Sequence, residues 1–438
     1  MAKGQRWETR PLESWAKAKD MRARFEQAVR TAENEKVLLA QGGTTALWTF
    51  AFPAIRLVED NPLGAMMAFQ SDKFSRECRM ACEIRGWGRE QCGYQLNCWG
   101  AQYLDKQVDG SRFPLRDMVI PMPHPCDLHT KRGQLPMDYS NIPRWQSDTP
   151  VHTDAPDPVR EQEMIENKVG CILDEIQDVE RITGQRFDDE KFIQALIHQW
   201  RYREYAGEVC SLIQHIPAPL GQKDLYSFYT LGGLTKTDPE ETVGLWKMLR
   251  DEVKWRTEND IAAVGNERYR WIEHHPPPWH YLKYYRYMES YGAVCIGSLY
   301  SHMMGNPYEW REDGTYASKK TPLQLGVPLN NREQAVRALV GTTMGGTGQQ
   351  WDDLLGWHEI RNMAKAFKVN GAVLALWRGG VGCTYLRKKC GLALSEMGVR
   401  VMHYEGSQPG DRTDMDENRM LDQLDIWMES QGLRKLDN

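Results

Sequence analysis

Ala372-Val373-Leu374-Ala375-Leu376 is an uncharged apolar run of β-strand character, and the residues after it set the fold class. Next come the turn-rich Gly379-Gly380-Val381-Gly382-Cys383-Thr384, a helical pattern over 385–397 and a second strand-like run over 399–404. Strand, helix and strand in that order make a β-α-β unit, whose strands pair in parallel. On its N-terminal side, residues 352–368 supply a helix, and Asn330 or Asn331 can cap a helix before that. Gly292-Ala293-Val294-Cys295-Ile296 adds a strand fed by a helix over 280–291, so a second α/β set begins after Pro276-Pro277-Pro278-Trp279. The same rhythm opens the chain, with a strand near 37–40, helical segments over 71–85 and 90–104, and a strand over 117–122. Residues 37–55 carry no charge, yet Gln41-Gly42-Gly43-Thr44-Thr45 and Pro53 interrupt them. They read as a buried strand, a Gly-rich turn and a short core helix rather than as a membrane span.

Between the two sets, residues 123–160 are rich in Pro, Asp and His and read as a long irregular connection. Residues 161–206 are a helical crossover, with a turn at Ile182-Thr183-Gly184 and an N-cap at Asp188 or Asp189. The expected fold is α/β: two Rossmann-like or flavodoxin-like domains with short parallel sheets, over 1–165 and 166–438, plus a helical N-terminal segment in 1–35 and the crossover. A length of 438 residues accommodates this at about 150 residues per domain. The 41% hydrophobic and 26% charged composition excludes a disordered or coiled-coil chain. With 55 basic against 60 acidic residues there is no basic field for a nucleic acid. No secretory apolar region follows the charged first residues, so a cytoplasmic location is expected, with no membrane partner.

Ten cysteines are many for a reducing compartment, and none of them forms a Cys-x-x-Cys pair. Cys78 and Cys82 share one helical face with Phe74 and Ala81, and Cys171 and Cys295 also read as buried small hydrophobes. Cys92, Cys126 and Cys383 differ, because each sits beside turn residues: Gln91-Cys92-Gly93-Tyr94, His124-Pro125-Cys126-Asp127 and Gly382-Cys383-Thr384. Cys126 and Cys383 follow strand-like runs directly, and the carboxyl ends of parallel strands are where ligands collect. A shared three-thiolate site and three separate loop thiols are both open on this reading. The glycine-rich Gly341-Thr342-Thr343-Met344-Gly345-Gly346-Thr347-Gly348-Gln349 lacks the Gly-Lys-Ser/Thr of a phosphate loop. His274-His275 and His280 are spread apart by the proline run, which argues against a zinc site.

Cys92-Gly93-Tyr94-Gln95-Leu96-Asn97-Cys98, then Asp117-Met118-Val119-Ile120, then Pro125-Cys126-Asp127 resemble the first two cluster motifs of the 2-hydroxyacyl-CoA dehydratase and benzoyl-CoA reductase family. Thr183-Gly184-Gln185, Pro217-Ala218-Pro219, Arg268-Tyr269-Arg270-Trp271, Glu289-Ser290-Tyr291-Gly292 and Asn370-Gly371-Ala372-Val373 resemble its later landmarks, so the likeness covers about residues 35–430. Within the family the chain looks most like the B subunits of ATP-dependent, class I benzoyl-CoA reductases. The resemblance implies one [4Fe-4S] cluster held between the two domains by Cys92, Cys126 and Cys383. Cys98 is an alternate for the first ligand, and Cys390 for the third, because this chain reads Cys383-Thr384-Tyr385 where the family has Cys-Asp-Pro. Thr44 and Thr45 occupy the neighbourhood from which a polar residue approaches the cluster in that family.

The resemblance further implies an oxidoreductase that reduces the ring of benzoyl-CoA to a cyclic diene, with electrons from ferredoxin. Its partners are then a paralogous cluster-binding subunit and two ATP-hydrolysing activator subunits, a division of labour that fits the missing phosphate loop. A strongly reducing cluster in a dry pocket suits an aromatic thioester, and the 16 Trp and 18 Tyr residues can line such a pocket or simply fill the core. His124 and His129, flanking Cys126, are candidate proton donors. Two alternatives stand beside this reading: a 2-hydroxyacyl-CoA dehydratase subunit, a lyase using the same cluster and a recycled electron, and a non-catalytic cluster-carrying or scaffold subunit.

Overall fold

The computed structural model describes residues 5–120, 141–145, 158–229, 238–274, 277–298, 308–310, 315–343, 353–377, 387–406, 410, 412–413 and 415–436. It is an α/β structure with short parallel sheets flanked by helices. Helix α1 (Ser14–Thr31) precedes strand β1 (Leu38–Gln41), a 3-10 helix (Thr44–Ala51) and β2 (Ile55–Val58). Helices α2 (Asp60–Gln70), α3 (Asp72–Glu83) and α4 (Gly93–Leu104) lead to β3 (Met118–Val119). Four helices follow: α5 (Pro158–Thr183), α6 (Asp189–Leu212), α7 (Gln222–Tyr229) and α8 (Pro239–Glu258). The C-terminal half holds β4 (Tyr269–Glu273), a 3-10 turn (Trp279–Tyr281), α9 (Lys283–Glu289), β5 (Ala293–Ser298), β6 (Tyr308–Trp310), β7 (Tyr316–Ser318) and α10 (Arg332–Thr343). It ends with α11 (Asp353–Ala366), β8 (Gly371–Trp377), α12 (Arg387–Glu396), β9 (Arg400–Gly406) and α13 (Glu417–Ser430).

The first sheet has the order β2-β1-β3 and the second β5-β4-β8-β9, all parallel. The expected β-α-β unit of β8, α12 and β9 is the best-paired part of the second sheet, running in register from Gly371 opposite Arg400 to Trp377 opposite Gly406. The expected caps form: Asp188 accepts from the Lys191 amide at 3.0 Å, and Asn331 from Gln334 at 2.9 Å. Three expectations shift. The second α/β set begins with β4, ahead of the proline run rather than after it, and β4 lies between β5 and β8. The first helix occupies 14–31 only. Cys171 is half-buried rather than buried.

Three large apolar clusters hold these layers. One joins both sheets to the helices between them, with Phe25 of α1, Leu39 of β1, Val209 of α6, Leu249 of α8, Ile272 of β4 and Leu374 of β8. A second fills the other face of the first sheet, around Trp48, Phe52, Ile176 and Trp200. The third covers the other face of the second sheet and is rich in Trp and Tyr; it recruits Ala65 and Ala68 of α2 together with Cys92 and Tyr94. No described helix is long and apolar enough to cross a membrane.

Candidate functional site

Cys92 owes its position to the crossings of α4 with α2 and α3. Gly100 lies so close to α3 that a Cβ there would sit 2.1 Å from the Cys78 carbonyl oxygen, and one on Gly64 would sit 2.6 Å from the Tyr94 carbonyl oxygen. Only glycine allows either approach. Asn97 ties the three helices together: its Nδ2 donates to the Gly64 carbonyl at 3.0 Å, and its Oδ1 accepts from the Ser75 hydroxyl at 2.9 Å. Clamped in this way, α4 begins at Cys92, which is its N-cap residue, is buried, and makes no side-chain capping bond. A helix N-terminus favours negative charge, so a thiolate or an anionic ligand is favoured at this place.

The aromatic cluster lies against Cys92. Trp279 Nε1 donates to the Tyr94 hydroxyl at 2.6 Å, and the Tyr226 ring meets Trp279 edge-on at 5.5 Å. Trp271 stacks on Tyr285 at 5.5 Å, and Trp377 at the end of β8 meets Tyr404 edge-on at 5.3 Å. At the carboxyl end of β4 the buried Glu273 accepts from Tyr284 at 2.7 Å, from Tyr285, and from the Cys295 thiol at 3.5 Å. Burial pushes the Glu273 carboxyl up to about 7 against the opposing effect of these three donors. Burial and the adjoining Glu273 also push the Cys295 thiol well up, so it stays protonated. This is a buried, proton-holding group.

The structure brings few of the expected site residues together. Cys92 is described, whereas Cys126, Cys383, His124 and His129 lie outside the described residues. Thr44 and Thr45 open the 3-10 helix just past the carboxyl end of β1, and their side chains are likewise outside. Cys98 is buried on α4, about 9 Å further along the helix than Cys92 at 1.5 Å per residue. Cys390, on α12, packs in the apolar cluster that holds Leu374, Phe367 and Leu394. Among the described residues no three His, Cys, Asp or Glu side chains gather as a metal site, and of the three expected cluster ligands only Cys92 is among them. Sequence reasoning passed over Glu273 and two buried glutamines, Gln41 and Gln95. Glu273 follows the Arg268-Tyr269-Arg270-Trp271 landmark, but nothing in its neighbours marks it as buried.

The model of the 2-hydroxyglutaryl-CoA dehydratase D-component matches residues 74–430, a span that contains Cys92, the whole second sheet and the Trp and Tyr residues of the aromatic cluster. The alpha subunit of (R)-phenyllactyl-CoA dehydratase from Clostridium sporogenes is 22% identical over 267 residues, 60% of this chain and 64% of that protein. The alpha subunit of (R)-2-hydroxyglutaryl-CoA dehydratase from Acidaminococcus fermentans is 25% identical over 217 residues, 49% of this chain and 44% of that protein. The matched region thus spans less than two thirds of either relative. These findings correct the expectation of a benzoyl-CoA reductase subunit and, with it, of ferredoxin-dependent ring reduction: the matching model and both relatives are dehydratases. By its matching model, and over most of its length, the chain belongs to the 2-hydroxyglutaryl-CoA dehydratase D-component family, a family of enzymes.

Proposed function

We propose that this chain is a subunit of a 2-hydroxyacyl-CoA dehydratase-type lyase, which removes water from a 2-hydroxyacyl thioester to give an enoyl thioester. The family match over 74–430 carries this reading. The site chemistry supports it. Loss of water from such a thioester needs a proton for a poor leaving group, the hydroxyl, and removal of a weakly acidic hydrogen from the next carbon. A buried wall that excludes water and holds protons, such as Glu273 with Tyr284, Tyr285 and Cys295, suits both demands. His124 and His129 are proposed as further proton donors.

Cys92, Cys126 and Cys383 are proposed as thiolate ligands of a [4Fe-4S] cluster. Cys92 suits that role better than Cys98 because it stands at the helix end rather than within the helix, and Cys390 lies within the apolar core. When bound, the cluster supplies the electron that such a lyase borrows and returns. A paralogous second subunit and ATP-hydrolysing activator subunits are proposed to complete the system; both relatives are themselves alpha subunits.

The test is anaerobic incubation of the full chain, with its co-purifying second subunit and activator, with phenyllactyl-CoA, 2-hydroxyglutaryl-CoA and benzoyl-CoA. Expected is enoyl-CoA from at least one hydroxyacyl thioester and nothing from benzoyl-CoA. Cys92→Ala should abolish turnover and lower the iron and acid-labile sulfide content without unfolding the chain. Failure to dehydrate either hydroxyacyl thioester, with iron and sulfide present, sinks the lyase reading.

A further inference from the structure

Gln95 is the third residue of α4, one helical turn from the N-cap Cys92 and on the same side of the helix end. A glutamine at that position commonly reaches back to the backbone N–H of the N-cap residue. Here it does not. Its side chain is 1% exposed, and among the described residues neither Oε1 nor Nε2 has a hydrogen-bond partner. Gln41, the last residue of β1, repeats the pattern: 1% exposed, with both amide atoms unpaired among the described residues.

Gln41 lies at the carboxyl edge of the first sheet, and the connections that follow bring the start of α4 toward that edge. Gln41 pairs with Val58 at the carboxyl end of β2, and α2 starts two residues later. Gly64, early in α2, touches Tyr94 in the first turn of α4. The N-terminal end of α4 is therefore brought toward the carboxyl edge that holds Gln41, where ligands collect in parallel sheets. A buried carboxamide with both atoms unsatisfied costs the fold stability, so two of them toward one edge call for an outside partner.

We infer that Gln95 is a binding residue for the carbonyl oxygen of an acyl thioester beside Cys92, with Gln41 taking an adjacent hydroxyl. The chemistry matches piece by piece. Each carboxamide offers an N–H donor and an oxygen acceptor, and a 2-hydroxyacyl thioester offers a carbonyl acceptor next to a hydroxyl that both donates and accepts. The carbonyl falls to Gln95 because the helix N-terminus favours the oxygen on which negative charge builds. This assignment rests on the dehydratase reading and deepens it.

Thermal unfolding and titration calorimetry on the full chain, kept anaerobic, decide it, with phenyllactyl-CoA and 2-hydroxyglutaryl-CoA as probes and CoA as the control. Without ligand, Gln95→Leu should melt no lower than the wild type, because it removes two unsatisfied polar atoms. Its affinity for at least one thioester should fall about tenfold, while its affinity for CoA stays unchanged. Gln41→Leu should behave similarly, with a loss seen for the 2-hydroxyacyl thioester and absent for its deoxy analogue. A lower melting temperature for ligand-free Gln95→Leu would make Gln95 a structural residue and overturn the inference, as would a thioester affinity equal to the wild type's. If the wild type binds each thioester no better than CoA, the dehydratase reading falls and the inference goes with it.

Discussion

Glu273 is a buried carboxyl surrounded by three uncharged donors, and its protonation links the site to pH. The groups that face it are Tyr284 and Tyr285 from α9 and Cys295 from β5, with Tyr404 of β9 acting on Tyr284. Its folded value of about 7 stands above the ordinary 4.5, so between those values the folded chain binds a proton that the unfolded chain does not. The stabilisation is fully present below about pH 4.5 and is lost as pH rises through about 7. Glu175 has the same direction and a similar value through burial, moderated by Lys168 at 3.9 Å. Glu273→Gln keeps the shape, removes the charge, and should become more stable relative to the wild type as pH rises, by at most about 3 kcal/mol between pH 4.5 and 8. Urea unfolding of both proteins at pH 5 and pH 8 measures this, and a pH-independent difference would refute it. Among single residues the sequence singled out Cys92, because it sits beside the turn residues Gln91 and Gly93, and the structure places it at the N-cap of α4. It did not announce Glu273, Gln41 or Gln95, because a polar side chain shows its meaning only when burial and its missing or special partners are seen.

Among the helices and strands, α4 is the part on which the site turns. Its crossing with α3 leaves no room at Gly100, where an added Cβ meets the Cys78 carbonyl oxygen and the Cys78 Cα at 2.4 Å. Backbone atoms cannot rotate out of the way, so Gly100→Ala should separate the two helices, costing roughly 1–3 kcal/mol or more, and displace Cys92 at the helix end. Chemical denaturation reads the first effect, and iron content of the purified chain the second; unchanged values of both would show that the helices slide apart without consequence. The β-α-β unit of β8, α12 and β9 was legible because β8 is an uncharged apolar run and the turn residues after it carry glycine. Strand β4 was not, although it lies inside the second sheet. Tyr269-Arg270-Trp271-Ile272-Glu273 places two charges in five buried residues, which reads as surface until their partners are known. Helix α2 hid for a different reason: Pro62 and Gly64 look like breakers, yet Pro62 sits in the first turn, where proline is tolerated, and Gly64 makes the close contact with α4.

A shared apolar core holds the molecule together across its two sheets, and two polar ties within the described residues stand out. One tie is the Trp279–Tyr94 hydrogen bond, which fixes the N-terminal end of α4 against the aromatic face of the second sheet. The other is Arg270, on the amino-terminal half of β4. Its guanidinium donates to the carbonyls of Ile213 at 2.9 Å, His215 at 3.0 Å and Phe367 at 2.9 Å, and to Glu267 at 2.6 Å. Those carbonyls lie at the ends of α6 and α11, so one buried side chain on a strand satisfies two helix termini at once. Glu267 in turn accepts the Ala218 amide at 2.6 Å. Arg270→Met fills much of the same volume but leaves a buried carboxylate and three carbonyls without their donor, and it should cost about 3–5 kcal/mol in urea unfolding. Adding Glu267→Gln removes the stranded charge and should recover part of that loss, because much of the penalty of breaking a buried pair lies in the partner left behind. Recovery in the double variant separates this account from simple loss of packing, which Glu267→Gln would leave unchanged. If the double variant is as unstable as the sum of the two single ones, the pair does not act as a unit, and Arg270 contributes through its carbonyl contacts and packing instead.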